Sequence, residues 1–123
     1  MNTLDKEKQE RKQRLTARIA AANTMDSSTD AFYVELFNIL YDLKSYDKIQ
    51  DLMFPEYIDL SIKVVKLEPK KTKQAAEKWL PNKQKEVGHD IDMNQIFDVF
   101  EACYMIGTVA IVSSVIIDNK NVS

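Results

Sequence analysis

Sixteen consecutive residues carry no charge, from Ala102 to Ile117 (ACYMIGTVAIVSSVII), directly after an amphipathic stretch and directly before the polar tail Asp118-Asn-Lys-Asn-Val-Ser. Such a run must be buried in something. A helix crossing a bilayer needs about 20 apolar residues, so the run is short for that task, and it is longer than one helix face in a small domain requires. Protein is the expected solvent, and no membrane partner is expected.

The chain has 123 residues, enough for one hydrophobic core and too few for two. Its two glycines, Gly88 and Gly107, and three prolines, Pro55, Pro69 and Pro81, leave few residues suited to the positive-φ turns of tight hairpins. Helices are the expected solution: an all-α fold of four to five helices. Cys103 is the single cysteine, so no internal disulfide can form and no oxidising compartment is implied. The opening MNTLDKEKQERKQR lacks the apolar centre of a secretory signal. A cytoplasmic location, or one within an assembled particle, is expected.

Three regions follow from the pattern. Residues 1–26 read as a charged helical arm built of good helix formers, acids first and bases later, an order that suits the helix dipole. Its apolar residues Leu15, Ile19 and Ala22 fall at i, i+4, i+7, a narrow stripe in the second half only. An isolated helix of that kind is marginal in water, so the arm is expected to order against a partner.

Residues 27–106 read as a helical core. Ser27 and Asp30 suggest a capping box before a helix over 29–44 with Phe32, Leu36, Leu40 and Leu43 on one face. A short helix with Ile49, Leu52 and Met53 is expected to stop at Pro55. Pro55 then opens a helix with Tyr57, Leu60, Val64 and Leu67 in one row, and Pro69 ends it. The lysine-rich segment 70–86 is expected to be an outer helix anchored by Trp79 and Leu80, with a break at Pro81. After a turn at Gly88, Asp92 caps a last amphipathic helix.

Residues 107–123 are an apolar segment and a polar tail. The β-branched residues Val109, Ile111, Val112, Val115, Ile116 and Ile117 crowd together here, which favours strand over helix. Periodicity cannot arbitrate in a run that is apolar throughout. A continued helix is expected because no partner strand is visible, with a short terminal strand as the alternative.

The total charge of −2 hides a block pattern. Residues 5–18 hold six bases and three acids, and residues 26–62 hold two bases and eight acids. Residues 63–85 hold eight lysines and two acids, while residues 86–118 hold six acids and no base. Segregation of this kind can pair inside a fold or favour encounter between copies.

Residues with chemistry in them stand alone. His89 lacks the further ligands that a zinc site needs, Cys103 has no base nearby in the sequence, and Asp98 with Glu101 lacks the Glu-x-x-His pattern of dimetal bundles. Neither glycine sits in a phosphate-binding loop. No catalytic residue, metal, cofactor or small-molecule substrate is expected, and the chain reads as a non-enzymatic structural or assembly protein. By class-level analogy, phage and viral particles and their assembly chaperones are built of such chains. The residues expected to meet protein partners, as a homo-oligomer or in a larger complex, are Arg11, Arg14, Leu15, Arg18 and Ile19 on the arm and Val109, Ile111, Val112, Val115 and Ile116 on the apolar segment. Two alternatives remain: a nucleic-acid-associated protein using Lys70, Lys71, Lys73, Lys78 and Trp79, where an aromatic interleaves with basic residues, and a small inhibitor of a larger enzyme.

Overall fold

A computed structural model describes residues 3–44 and 54–122, with side chains placed for residues 3, 6–44 and 54–114. Five helices follow in order: α1 (Thr3–Asn23), α2 (Asp30–Leu43), α3 (Pro55–Val65), α4 (Pro69–Val87) and α5 (Met93–Val122). There is no strand among the described residues, so the all-α expectation holds. The strand alternative for the β-branched run is gone: α5 continues through Gly107 without interruption. The short helix expected around Ile49, Leu52 and Met53 lies outside the described residues.

The centre is α2, which touches α1, α4 and α5. Phe32, Tyr33, Leu36, Phe37, Ile39, Leu40 and Leu43 are all buried, and removal of each such side chain from water is worth about 1.5–3 kcal/mol. The helix starts at Thr29 rather than at Ser27. Thr29 is extended, and its hydroxyl accepts from the Phe32 amide at 3.2 Å. Ser27 loses the role because the preceding turn is organised one residue on, where Asp26 accepts from the Ser28 amide and hydroxyl. Those two bonds pull the Asp26 carboxyl below its ordinary range.

The arm is not an arm throughout. Leu15, Ile19 and Ala22 are buried in this chain's own core, because α1 lies along α2 and α3. The expectation that Leu15 and Ile19 face a partner is therefore corrected: α2 and α3 cover the stripe. Polar groups fix the seat. Arg18 forms ion pairs with Glu35, at 3.3 Å, and with Asp42 on α2, and the Asn23 amide donates to the Glu56 carbonyl of α3 at 3.0 Å. The described side chains of α1 before Leu15 are exposed.

Prolines do what their positions allow. Pro55 and Pro69 each sit in the first turn of a helix, where the missing N–H would have had no partner. Pro81 does not break α4. It lies on the exposed side, where a carbonyl left without its donor can turn to water. Gly88 ends α4 with φ 79°, the left-handed cap that glycine adopts without penalty. Asp92 caps α5 as expected, its carboxylate accepting from the Asn94 amide at 3.0 Å.

The most extensive helix contact joins α3 to α5. Small residues make it close: Ser61 on α3 and Cys103 and Gly107 on α5 are all buried. The Cys103 thiol donates to the Tyr57 hydroxyl at 3.2 Å, and the Ser61 hydroxyl donates back to the Tyr57 carbonyl at 2.8 Å.

Candidate functional site

Only one side of α5 is used by that contact. At about 100° per residue, Ile96, Cys103 and Gly107 share the side turned to α3. The sides turned away from α3 carry Phe97, Tyr104, Met105, Val109 and Val112, exposed by 37% to 67%. Met105, Val109 and Val112 lie within about 60° of one another opposite Gly107, with Phe97 and Tyr104 on the adjoining flank. The other large apolar side chain exposed among the described residues is Val34 on α2.

Side explains why these residues lack cover, since α3 packs where Cys103 and Gly107 lie, and length removes cover even from that packed side farther on. α5 has 30 residues and α3 has 11, or about 45 Å against about 16 Å at 1.5 Å per residue. Ser114 falls on the same side as Gly107, seven residues on, yet it is exposed. The helix has outrun its support by that point. Beside the exposed apolar residues a shallow apolar groove of about 340 Å³ lies between Ile58 of α3 and Met105, Ile106, Val109 and Ala110 of α5.

Val109 and Val112, expected from the sequence as contact residues, stand on the side turned away from α3. Ile111 is half-buried on the flank of the helix that faces the core, and the side chains of Val115 and Ile116 lie outside the described residues. On α1, Arg11 and Arg14 are exposed, whereas Arg18 is half-buried in its ion pairs with α2. Sequence reasoning missed Phe97, Tyr104, Met105 and Ile58. The first three would have emerged from a helical projection carried through the whole of 93–112. Ile58 could not, because only packing brings α3 to that flank.

The lysine cluster divides. Lys70, Lys71, Lys73 and Lys78 are exposed on the outer side of α4, with Lys71 paired to Glu68 at 3.5 Å. Trp79 points the other way. It is 5% exposed, its ring lies 5.6 Å from Phe37 and 6.3 Å from Tyr41, and its N–H donates to Asn38 at 3.0 Å. Trp79 thus anchors α4 as expected, and the alternative in which it stacks on a base beside these lysines is corrected, since its faces are filled by core aromatics.

Titratable groups are dispersed. Burial pushes the Cys103 thiol up, opposed by its hydrogen bonds to Tyr57 and Ser61. Burial and the neighbouring Cys103 push the Tyr57 hydroxyl up as well. His89 is exposed, with its ring Nδ1 2.9 Å from the Asp90 carbonyl oxygen. Among the described residues no three His, Cys, Asp or Glu side chains converge as metal ligands would. A second cleft of about 200 Å³ between α2 and α4 mixes both signs of charge, with Asp30, Lys78, Lys83 and Glu86 on its walls.

The stretch Met93–Ser114 is long and apolar enough to cross a membrane by length and composition, with 17% of its apolar 18-residue window buried within the molecule. Comparison with known proteins yields no matching family model, no matching curated protein and no matching solved structure.

Proposed function

We propose that this protein is a non-enzymatic assembly component that docks onto other protein subunits through the free face of α5, in the cytoplasm or within an assembled particle. One observation carries the reading: five large apolar side chains stand exposed on one broad face of a single helix, away from the side packed on α3. Scattered exposed apolar residues are ordinary, whereas several gathered on one helix face beside a groove are how helices present themselves to partners.

The test places a photo-crosslinking residue at Val109, and in a second protein at Glu77, which is exposed on the outer side of α4. Both are expressed as the full chain in the cells that make it. Discrete adducts to protein from position 109, absent from position 77, are expected. Equal or absent adducts at the two positions would end the docking reading.

The second reading is association with nucleic acid, favoured by the one-sided exposure of Lys70, Lys73 and Lys78 on α4. It rests on charge alone once Trp79 is withdrawn. Binding to a mixed-sequence oligonucleotide that weakens steeply between low and physiological salt, and that is lost on neutralising those three lysines, would establish it.

A further inference from the structure

The free face of α5 has a sign. Between Lys85 and Lys120 the chain holds six acids and no base. Two of these acids, Asp98 and Glu101, are exposed and lie on the same side as the exposed apolar residues, since Asp98 stands seven residues before Met105 and Glu101 seven before Thr108. The carboxylates of the face lie toward its N-terminal end, between Phe97 and Tyr104.

Resting on the docking reading above, we infer that the occupant of this face is a basic amphipathic helix of another protein. Its apolar side chains seat on Met105, Val109 and the groove beside Ile58, and its Lys or Arg residues reach Asp98 and Glu101. Opposite charges at the edge of an apolar contact set partner choice and orientation more than total affinity.

Charge complementarity favours this occupant over the others. Among the described residues, a second copy offers large exposed apolar side chains on its own α5 and, singly, at Val34, and that α5 face brings two more acids and no base among its described side chains. The basic surfaces of a copy, the outer side of α4 and the front of α1, are lined by Lys, Arg, Glu and Gln without an apolar row. An anionic membrane surface is repelled by Asp98 and Glu101. An uncharged bilayer would have to take in two carboxylates, which is costly without partners.

The test titrates the full chain into two labelled peptides of about 18 residues with identical leucine spacing, one carrying lysine on its polar side and the other glutamate. Vesicles of phosphatidylcholine, with and without phosphatidylglycerol, are run in parallel. The lysine peptide is expected to bind about tenfold tighter than the glutamate peptide. Asp98→Asn/Glu101→Gln should bring the two toward parity, and Met105→Gln/Val109→Gln should weaken both about tenfold with the circular dichroism unchanged. A preference that survives Asp98→Asn/Glu101→Gln, or lysine-peptide binding that ignores Met105→Gln/Val109→Gln, overturns the inference. So does a dimer, or vesicle binding, that Met105→Gln/Val109→Gln abolishes, since either assigns the face to a copy or to a bilayer. Crosslinks from position 109 to another protein, without a charge preference between the peptides, would remove this inference and leave the docking reading standing.

Discussion

Gly107 lies directly against the backbone of Ser61. A Cβ added at Gly107 would stand 2.6 Å from the Ser61 carbonyl carbon and 2.7 Å from Val65 Cγ2, closer than side-chain carbons pack. Backbone cannot rotate aside as a side chain can, so α3 and α5 approach this closely because residue 107 has no side chain.

Gly107→Ala is accordingly expected to destabilise the fold. In an open helix the change would gain about 1 kcal/mol from propensity, but overpacking a tight contact costs about 1–3 kcal/mol, and here the obstruction is main chain. Urea denaturation of the two proteins reads the sign. A more stable Gly107→Ala variant would mean that α3 and α5 do not meet at this point.

Ile19→Ala tests whether α1 belongs to the core. Ile19 is fully buried, and truncations of that kind cost about 2–5 kcal/mol. Denaturation of the dilute protein at fixed, low concentration is the appropriate measurement, because a residue serving only a partner contact would leave the isolated chain unaffected.

Trp79 separates ring packing from hydrogen bonding. Trp79→Phe keeps an aromatic against Phe37 and Tyr41 but removes the donor to the half-buried Asn38, for an expected loss of about 1–2 kcal/mol. Trp79→Ala removes both and should cost about 3–5 kcal/mol. Native indole fluorescence should also resist aqueous quenchers and should not respond to added oligonucleotide.

Alkaline pH should weaken the α3–α5 contact. The Cys103 thiol and the Tyr57 hydroxyl are both held above their ordinary values of 9.0 and 10.0, so above about pH 9 the unfolded chain loses protons that the folded chain keeps. Stability is fully present below that point and falls as pH rises, by at most about 1.4 kcal/mol per pH unit for each group. Denaturation midpoints from pH 7 to 10.5 should show the decline, shallower in Cys103→Ala. A flat profile in the parent protein would count against the buried thiol and hydroxyl, as would rapid reaction of the native thiol with a disulfide reagent at pH 8.

Several sequence-based expectations were matched and others missed for identifiable reasons. Thr29 and Ser27 are both competent caps, and only the Asp26 turn chooses between them. Pro81 reads as a break in a linear sequence, yet it is tolerated because its side of α4 faces water. On α5, Phe97, Tyr104 and Met105 were legible in principle, but only in a helical projection carried from Met93 through the apolar run rather than stopped at its start.

What the amino-acid order alone determined was local: helix-forming composition, proline at first turns, glycine at the end of α4, the Asp92 cap, and the rows of apolar residues that each helix must bury. These depend on neighbours within a few positions, which a linear chain specifies. Tertiary structure decided which surface covers which row. Leu15 and Ile19 carry the same stripe whether they meet their own α2 and α3 or a stranger, and burial free energy does not record the identity of the covering surface. The fold met that need for α1 from within the molecule and left the outer side of α5 uncovered, because α3 packs against its other side.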